Sequence, residues 1–74
     1  MVHSKYDKKY KEIGRKIAKY RAEQGYIQET FANALGVSYS YIAQIEAPNQ
    51  TKRMSLELLF EIAELLKIDI KDLL

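Results

Sequence analysis

Residues 28–46 read QETFANALGVSYSYIAQIE, two short segments with helical spacing that are separated by one glycine. Apolar residues share one face of each segment, Phe31, Ala32 and Leu35 in the first and Ile42 and Ile45 in the second. Gly36 can take the left-handed backbone conformation that ends a helix, and Ser38 is a favourable N-cap for the next one. The stretch therefore predicts helices over 28–35 and 39–46 with a sharp turn between them.

The second of these helices has only eight residues. Isolated helices shorter than about 12 residues are marginal in water, so a neighbouring helix must hold this one in place. Ala32 is small enough for two helices to cross closely, and Ile42 and Ile45 face inward. The outer face carries almost no charge, although the chain has 12 basic residues. We therefore predict a helix that is held from behind and exposes an uncharged front.

The flanking segments are also helical. Before residue 28, five apolar or aromatic side chains form one stripe of a helix predicted over 5–24: Tyr6, Tyr10, Ile13, Ile17 and Tyr20. Gly25 ends this helix. Residues 47–54 contain the only proline and have no periodicity, which indicates a loop.

The C-terminal part is predicted to contain a fourth helix capped by Ser55 and a short fifth helix capped by Asp69. The fourth helix has a strong apolar stripe, formed by Leu56, Leu58, Leu59, Ile62, Ala63, Leu65 and Leu66. No alternating strand pattern occurs, so the fold class is all-α, with five helices around one core.

Length and composition restrict the class of protein. At 74 residues the chain corresponds to a single domain, 1–74, whose first few residues are expected to be frayed. The absence of cysteine excludes disulfides and thiolate metal sites, and it suits a reducing, cytoplasmic location. No apolar stretch approaches the roughly 18 residues of a membrane span. We expect neither secretion nor membrane insertion.

Charge is unevenly distributed along the chain. Residues 1–21 hold eight Lys or Arg against two acids, whereas residues 55–74 hold two against five. A basic end is typical of a protein that approaches an anionic partner. A solvated helix face that keeps the protein in solution explains most charge runs equally well.

The ordered residues of the central stretch resemble the helix-turn-helix of lambda-repressor-like, Cro and xenobiotic-response-element (XRE) type transcriptional regulators. The pattern consists of Gln28, Phe31, Ala32, Leu35, Gly36, Val37, Ile42 and Ile45. The resemblance extends over residues 13–74 and includes IGRKIAKYR, LGVS, YIAQIE and SLELLFEIAELLKI. It implies a five-helix DNA-binding domain whose third helix, 39–46, enters a major groove about 12 Å wide.

The resemblance also implies roles for individual residues. The base-reading positions correspond to Tyr39, Ser40, Ala43 and Gln44. Contacts with phosphates, or positioning roles, fall on Gln28, Ser38, Tyr41, Asn49, Gln50, Thr51, Lys52 and Arg53. Gln28 would also brace the third helix, and Arg21 would form a structural pair with Glu46. An uncharged front suits base reading, since Gln, Ser and Tyr can specify bases while cations hold phosphates.

Three positions depart from the family pattern. Ile27 stands where a Ser or Thr cap is usual, so the second helix loses a side-chain acceptor at its start. Ala47 and Pro48 replace a polar residue and a glycine, and the following loop is about one residue longer than is common. The phosphate contacts expected from residues 49–53 depend on how this loop folds.

The resulting prediction is a sequence-specific regulator of double-stranded DNA, expected to be a repressor that binds an inverted repeat as a homodimer. Half-sites would lie about 34 Å apart. The C-terminal segment is the predicted dimer contact, because it has more apolar residues than so small a core needs: Ile68, Ile70, Leu73 and Leu74. Alternatively, these residues close the core beneath the first helix.

Two other functional classes are less well supported by the sequence. A protein-interaction module, such as an antitoxin-like partner, could use the acidic C-terminal third to contact a basic protein. Glu57, Glu61 and Glu64 share one helical face, which is typical of a solvated surface. No acid, base and nucleophile come together in the predicted fold, and His3 has no assigned role. We therefore expect no enzyme activity, cofactor, metal or small-molecule substrate.

Overall fold

The computed structural model describes residues 5–74, which form four α-helices followed by one 3-10 turn. These elements are α1 (Asp7–Glu23), α2 (Gln28–Leu35), α3 (Tyr39–Glu46), α4 (Leu56–Leu66) and the 3-10 turn Ile70–Asp72. The described part of the chain contains no strand, and the all-α prediction is confirmed. The fraying expected at the N-terminus concerns residues 1–4, which lie outside the described residues.

The predicted fifth helix is a single 3-10 turn. Its backbone bonds join residues three apart, with the Asp72 N–H donating to the Asp69 carbonyl at 2.9 Å. The Asp69 carboxylate accepts from the Lys71 N–H at 3.0 Å, as a cap should. The Asp72 carboxylate accepts from the Asp69 N–H at 3.1 Å. The cap was predicted, whereas the tighter hydrogen-bond pattern was not.

Helix α1 starts two residues later than predicted. Tyr6 is its N-cap and is 56% exposed, so this ring does not continue the buried stripe. Ile13 and Ile17 are buried, and Tyr10 and Tyr20 pack partly against the same core. The helix ends before Gly25, whose φ of 83° is left-handed as predicted.

The turn between α2 and α3 forms as the glycine and serine predict. Gly36 has φ 73° and ψ 27°, and the Val37 N–H beyond it donates to the Ala32 carbonyl at 3.1 Å. Ser38 Oγ accepts from the Tyr41 N–H at 3.0 Å and caps α3. The chain therefore turns sharply within the three residues between the helices, which brings α3 against α2.

The core lies where α1 and α4 close over the pair α2 and α3. Its fully buried large side chains are Phe31, Ile17, Ile42, Ile62, Leu66 and Leu73. Ser55 caps α4 by accepting from the Leu58 N–H at 3.1 Å. Among the described residues, no helix has the length and apolar character to cross a membrane.

One part of the predicted dimer contact is wrong. Leu73 is 0% exposed because the 3-10 turn directs it into the core, so it cannot contact a second molecule. Ile68 and Ile70 are partly buried against the same core, and Leu74 is 46% exposed. The alternative expectation, that these residues close the core, holds for Leu73.

Candidate nucleic-acid interface

The predicted base-reading side chains lie together on the outer side of α3. Ile42 and Ile45 anchor the inner side at 0% and 3% exposure. Tyr39 and Ser40 are exposed, and Ala43 and Gln44 are half-exposed. Positions three and four residues apart are neighbours on a helix surface, so these four side chains form one continuous face.

A bidentate ion pair fixes the end of α3 to α1. Arg21 Nε donates to Glu46 Oε2 at 2.8 Å, and Arg21 Nη2 donates to Oε1 at 3.0 Å. Arg21 Nη1 also donates to the Tyr26 carbonyl at 2.7 Å. The Arg21 and Glu46 side chains are only 17% and 5% exposed. Because the fork engages both carboxylate oxygens, it sets the direction as well as the distance of the contact.

Gln28 links α2 to the same carboxylate. Its Nε2 donates to Glu46 Oε1 at 2.9 Å, so the bracing role that the resemblance implied has a physical basis. Glu46 thereby receives donors from both helices that flank α3. The Gln28 amide has a second N–H and a carbonyl oxygen that can each form a hydrogen bond with another group. Contact between Gln28 and a phosphate stays a prediction.

The loop after α3 places its two cations in different surroundings. Lys52 Nζ lies 5.4 Å from the centre of the Tyr41 ring, beside α3. The Arg53 guanidinium lies 5.4 Å from the centre of the Tyr10 ring, on α1. Tyr41 lies at the edge of α3, and its hydroxyl is 3.5 Å from the Arg53 carbonyl. The loop therefore brings Lys52 beside α3 and the Arg53 guanidinium beside α1.

The other predicted phosphate or positioning residues are distributed around this face. Asn49 and Gln50 are exposed, whereas Thr51 is half-buried. Ser38 is exposed at the start of α3, where its hydroxyl already caps the helix. Their contacts with DNA stay predictions.

The start of α2 has only the Thr30 half of a capping box. Ile27 has no side-chain acceptor, as expected. Thr30 Oγ1 instead accepts from the Ile27 N–H at 3.1 Å and donates to the Ile27 carbonyl at 3.1 Å. Thr30 was overlooked in the sequence, where its position three residues after the cap was the available signal.

Gly14 is the second residue that sequence reasoning missed. It is buried in the middle of α1, where an added Cβ would collide with the backbone carbonyl oxygen of Ile45. Glycine in a helix interior costs about 1 kcal/mol relative to alanine, so its presence there usually has a packing reason. Gly14 allows α1 to approach the backbone of α3.

Within residues 5–74, no group of three or more His, Cys, Asp or Glu side chains could hold a metal ion. Glu57, Glu61 and Glu64 are all exposed on α4, as a solvated face requires.

Comparison with known proteins identifies the family. A family model described as helix-turn-helix matches residues 17–73, more than half of the chain. The chain belongs to this helix-turn-helix family. The regulator is 38% identical over 60 residues to the uncharacterized HTH-type transcriptional regulator YazB of Bacillus subtilis (strain 168). The aligned region covers 81% of this chain and 84% of YazB.

The fold of the regulator is also similar to a solved structure. The restriction-modification controller protein C.AhdI from Aeromonas hydrophila matches with a TM-score of 0.79 at 25% sequence identity. The match covers 90% of this chain and 98% of C.AhdI. The resemblance to XRE-type regulators is thus confirmed. The chain is a helix-turn-helix transcriptional regulator and not an enzyme.

Proposed function

We propose that this regulator is a sequence-specific repressor that places α3 in the major groove of an inverted-repeat operator. The observation that carries the proposal is the uncharged outer face of α3, held in place by the Arg21–Glu46–Gln28 contacts. A helix of eight residues is about 12 Å long. The major groove is about 12 Å wide and admits a helix of ordinary diameter.

The side chains on that face suit base reading. Gln44 can bond an adenine through its amide, and Ser40 can donate to or accept from several bases. Lys52 lies beside α3 and supplies a positive charge for a phosphate. Sequence preference would therefore come from Gln44 and its neighbours, and salt-dependent affinity from the loop. A bound dimer would repress transcription by blocking the access of other proteins to the operator. The proposed location is the cytoplasm.

Homodimerisation is supported by an exposed apolar patch, which consists of Tyr6, Leu56, Phe60 and Leu74. These side chains are 46% to 60% exposed. Tyr6, Leu56 and Leu74 line one surface depression, and Phe60 follows Leu56 by one helical turn.

The size of the molecule is compatible with such a dimer. The backbone extends 35 × 25 × 20 Å. A two-fold axis places equivalent points at twice their distance from the axis, so each α3 would have to lie about 17 Å from it to match the half-site spacing of about 34 Å. Both copies of α3 could then enter successive major grooves.

The test is selection of bound duplexes from a random library, followed by affinity measurement on the selected operator and on a scrambled duplex over a salt series. The regulator should prefer the operator at every salt concentration. Gln44→Ala should relax the preference at one position in each half-site, by about 1–3 kcal/mol of discrimination. Lys52→Ala should weaken both duplexes alike and lower the salt slope by about 0.9 per contact.

Lys67→Ala is the matched control, because Lys67 is an exposed lysine at the far end of α4. It should leave the salt slope unchanged. Equal affinity for operator and scrambled DNA at all salt concentrations would reject the proposal. Absence of DNA binding together with a stable protein complex would instead favour the protein-interaction module.

A further inference from the structure

Ile27 and Tyr39 form a second exposed apolar site, separate from the apolar patch. Among the described residues, Ile27 is the most exposed large hydrophobic side chain at 61%, and Tyr39 is 56% exposed. Both line one open surface depression, which also contains Arg21, Gln28 and Glu29. Since Tyr39 begins α3 and Ile27 precedes α2, the depression is continuous with the proposed base-reading face.

Of the polar side chains in this depression, Arg21 and Gln28 have a partner within the protein, whereas Glu29 contributes an exposed carboxylate. Arg21 and Gln28 both donate to Glu46. The Ile27 N–H and carbonyl are both engaged by the Thr30 hydroxyl. What Ile27 can offer a ligand is therefore its branched hydrocarbon side chain, whose burial is favourable by about 25 cal/mol per Å².

The chemistry of the major groove determines what such a side chain can contact. Base edges there present hydrogen-bond donors and acceptors, and their one apolar group is the C5-methyl of thymine. We infer that Ile27 and the Tyr39 ring together contact the C5-methyl group of a thymine in each half-site. This inference rests on the proposed function. It makes Ile27, which precedes the recognition unit, a specificity-determining residue.

A thymine contact would explain why isoleucine occupies the N-cap position of α2. A serine or threonine here would cap α2 directly and offer a hydroxyl to a phosphate. Ile27 removes that hydroxyl, while Thr30 still engages the backbone at the helix start. The chain thus exposes an apolar side chain where a polar one would serve the helix better.

The experiment uses the selected operator with each thymine replaced by uracil, which removes only the methyl group. For the wild-type regulator, replacement in one half-site should weaken binding by about fourfold, the value of one buried methyl group, and replacement in both half-sites by about fifteenfold. Ile27→Ser should discriminate between the thymine and uracil duplexes less than the wild type does, because only the Tyr39 ring is then left to contact the methyl group. Serine is a good N-cap, so this variant should fold, and circular dichroism checks that it does.

Two further variants control for side-chain chemistry. Ile27→Val keeps a branched apolar end and should retain discrimination between thymine and uracil. Ala34→Ser adds a hydroxyl at an exposed position of the same helix, outside the depression, and should behave like the wild type. If both variants discriminate between thymine and uracil as the wild type does, and Ile27→Ser discriminates less, the methyl contact is assigned to Ile27.

The outcomes separate this inference from the proposed function. A wild-type regulator with no operator preference overturns both. Operator preference without sensitivity to any thymine replacement overturns the methyl contact only, as expected if Ile27 touches a deoxyribose. An equal uracil effect in the wild type and in Ile27→Ser also overturns it, because another side chain then reads the methyl.

Discussion

At the scale of single residues, Gly14 controls how closely α1 approaches the recognition helix. Gly14→Ala should destabilise the fold by about 1–3 kcal/mol, because the new methyl group would clash with the backbone carbonyl of Ile45. A backbone carbonyl, unlike a flexible side chain, has no alternative rotamer that relieves the clash. This loss should exceed the gain of about 1 kcal/mol in helix propensity. Urea unfolding measures the change. Lys19→Ala, at an exposed position of α1, should stay within about 0.5 kcal/mol. Stabilisation by Gly14→Ala would show that the helices can move apart freely.

Glu46 is the second residue on which the position of α3 depends. Glu46→Ala should lower the free energy of unfolding by about 2–4 kcal/mol, because it leaves the mostly buried Arg21 guanidinium without its partner. The double variant Arg21→Met with Glu46→Leu should recover part of that loss, since no charge is then left unpaired. Chemical denaturation of the wild type, Glu46→Ala and the double variant measures these changes. Glu64→Ala, on the exposed face of α4, is the matched control. A change as small as in Glu64→Ala would mean that water screens the pair.

At the scale of elements, two helices end in left-handed residues of different type. Gly36 ends α2 with φ 73°, whereas Lys67 ends α4 with φ 60° and is the only described non-glycine residue with positive φ. A side chain in this conformation costs roughly 1–2 kcal/mol. The end of α4 therefore stores strain that the end of α2 avoids.

This difference predicts opposite effects for two substitutions. Lys67→Gly should raise stability by about 1 kcal/mol, and Gly36→Ala should lower it by a similar amount. An added Cβ at Gly36 meets nothing within 4 Å, so its effect is one of backbone conformation. The midpoint of urea unfolding, at constant m-value, reports both. Lys67→Ala removes the lysine side chain without relieving the backbone. If Lys67→Gly were no more stable than Lys67→Ala, left-handed strain would not be the cause.

At the scale of the whole molecule, the apolar patch should control assembly. Leu56→Ser and Phe60→Ser should each raise the dimer dissociation constant about tenfold or more, because both remove large exposed side chains from the proposed contact. Sedimentation equilibrium measures the change. Ile27→Ser removes an equally exposed side chain outside the apolar patch and should leave the dimer intact. A wild-type regulator that is monomeric at all concentrations, even on an inverted repeat, would refute the two-fold arrangement.

The sequence by itself determined the local features of this regulator. The bounds of α2 and α3, the left-handed Gly36 and the caps Ser38, Ser55 and Asp69 all follow from interactions within a few residues. Helical periodicity also placed Ile42 and Ile45 on the inner side of α3, while the family resemblance assigned Tyr39, Ser40 and Gln44 to its outer side. Such features need no knowledge of the rest of the chain, because cap and periodicity rules are local.

Only the tertiary structure decided which apolar faces are covered. Periodicity shows that side chains share a face, but a face is buried or exposed according to what packs on it. The sequence therefore left open whether Leu73 forms a dimer contact or closes the core, and the fold places it in the core, whereas Leu56 and Phe60 of α4 remain exposed. The role of Gly14 could not be predicted for the same reason, because its neighbour Ile45 is 31 residues away along the chain. Contacts between distant residues depend on how the helices cross, and helix crossing is a property of the assembled core.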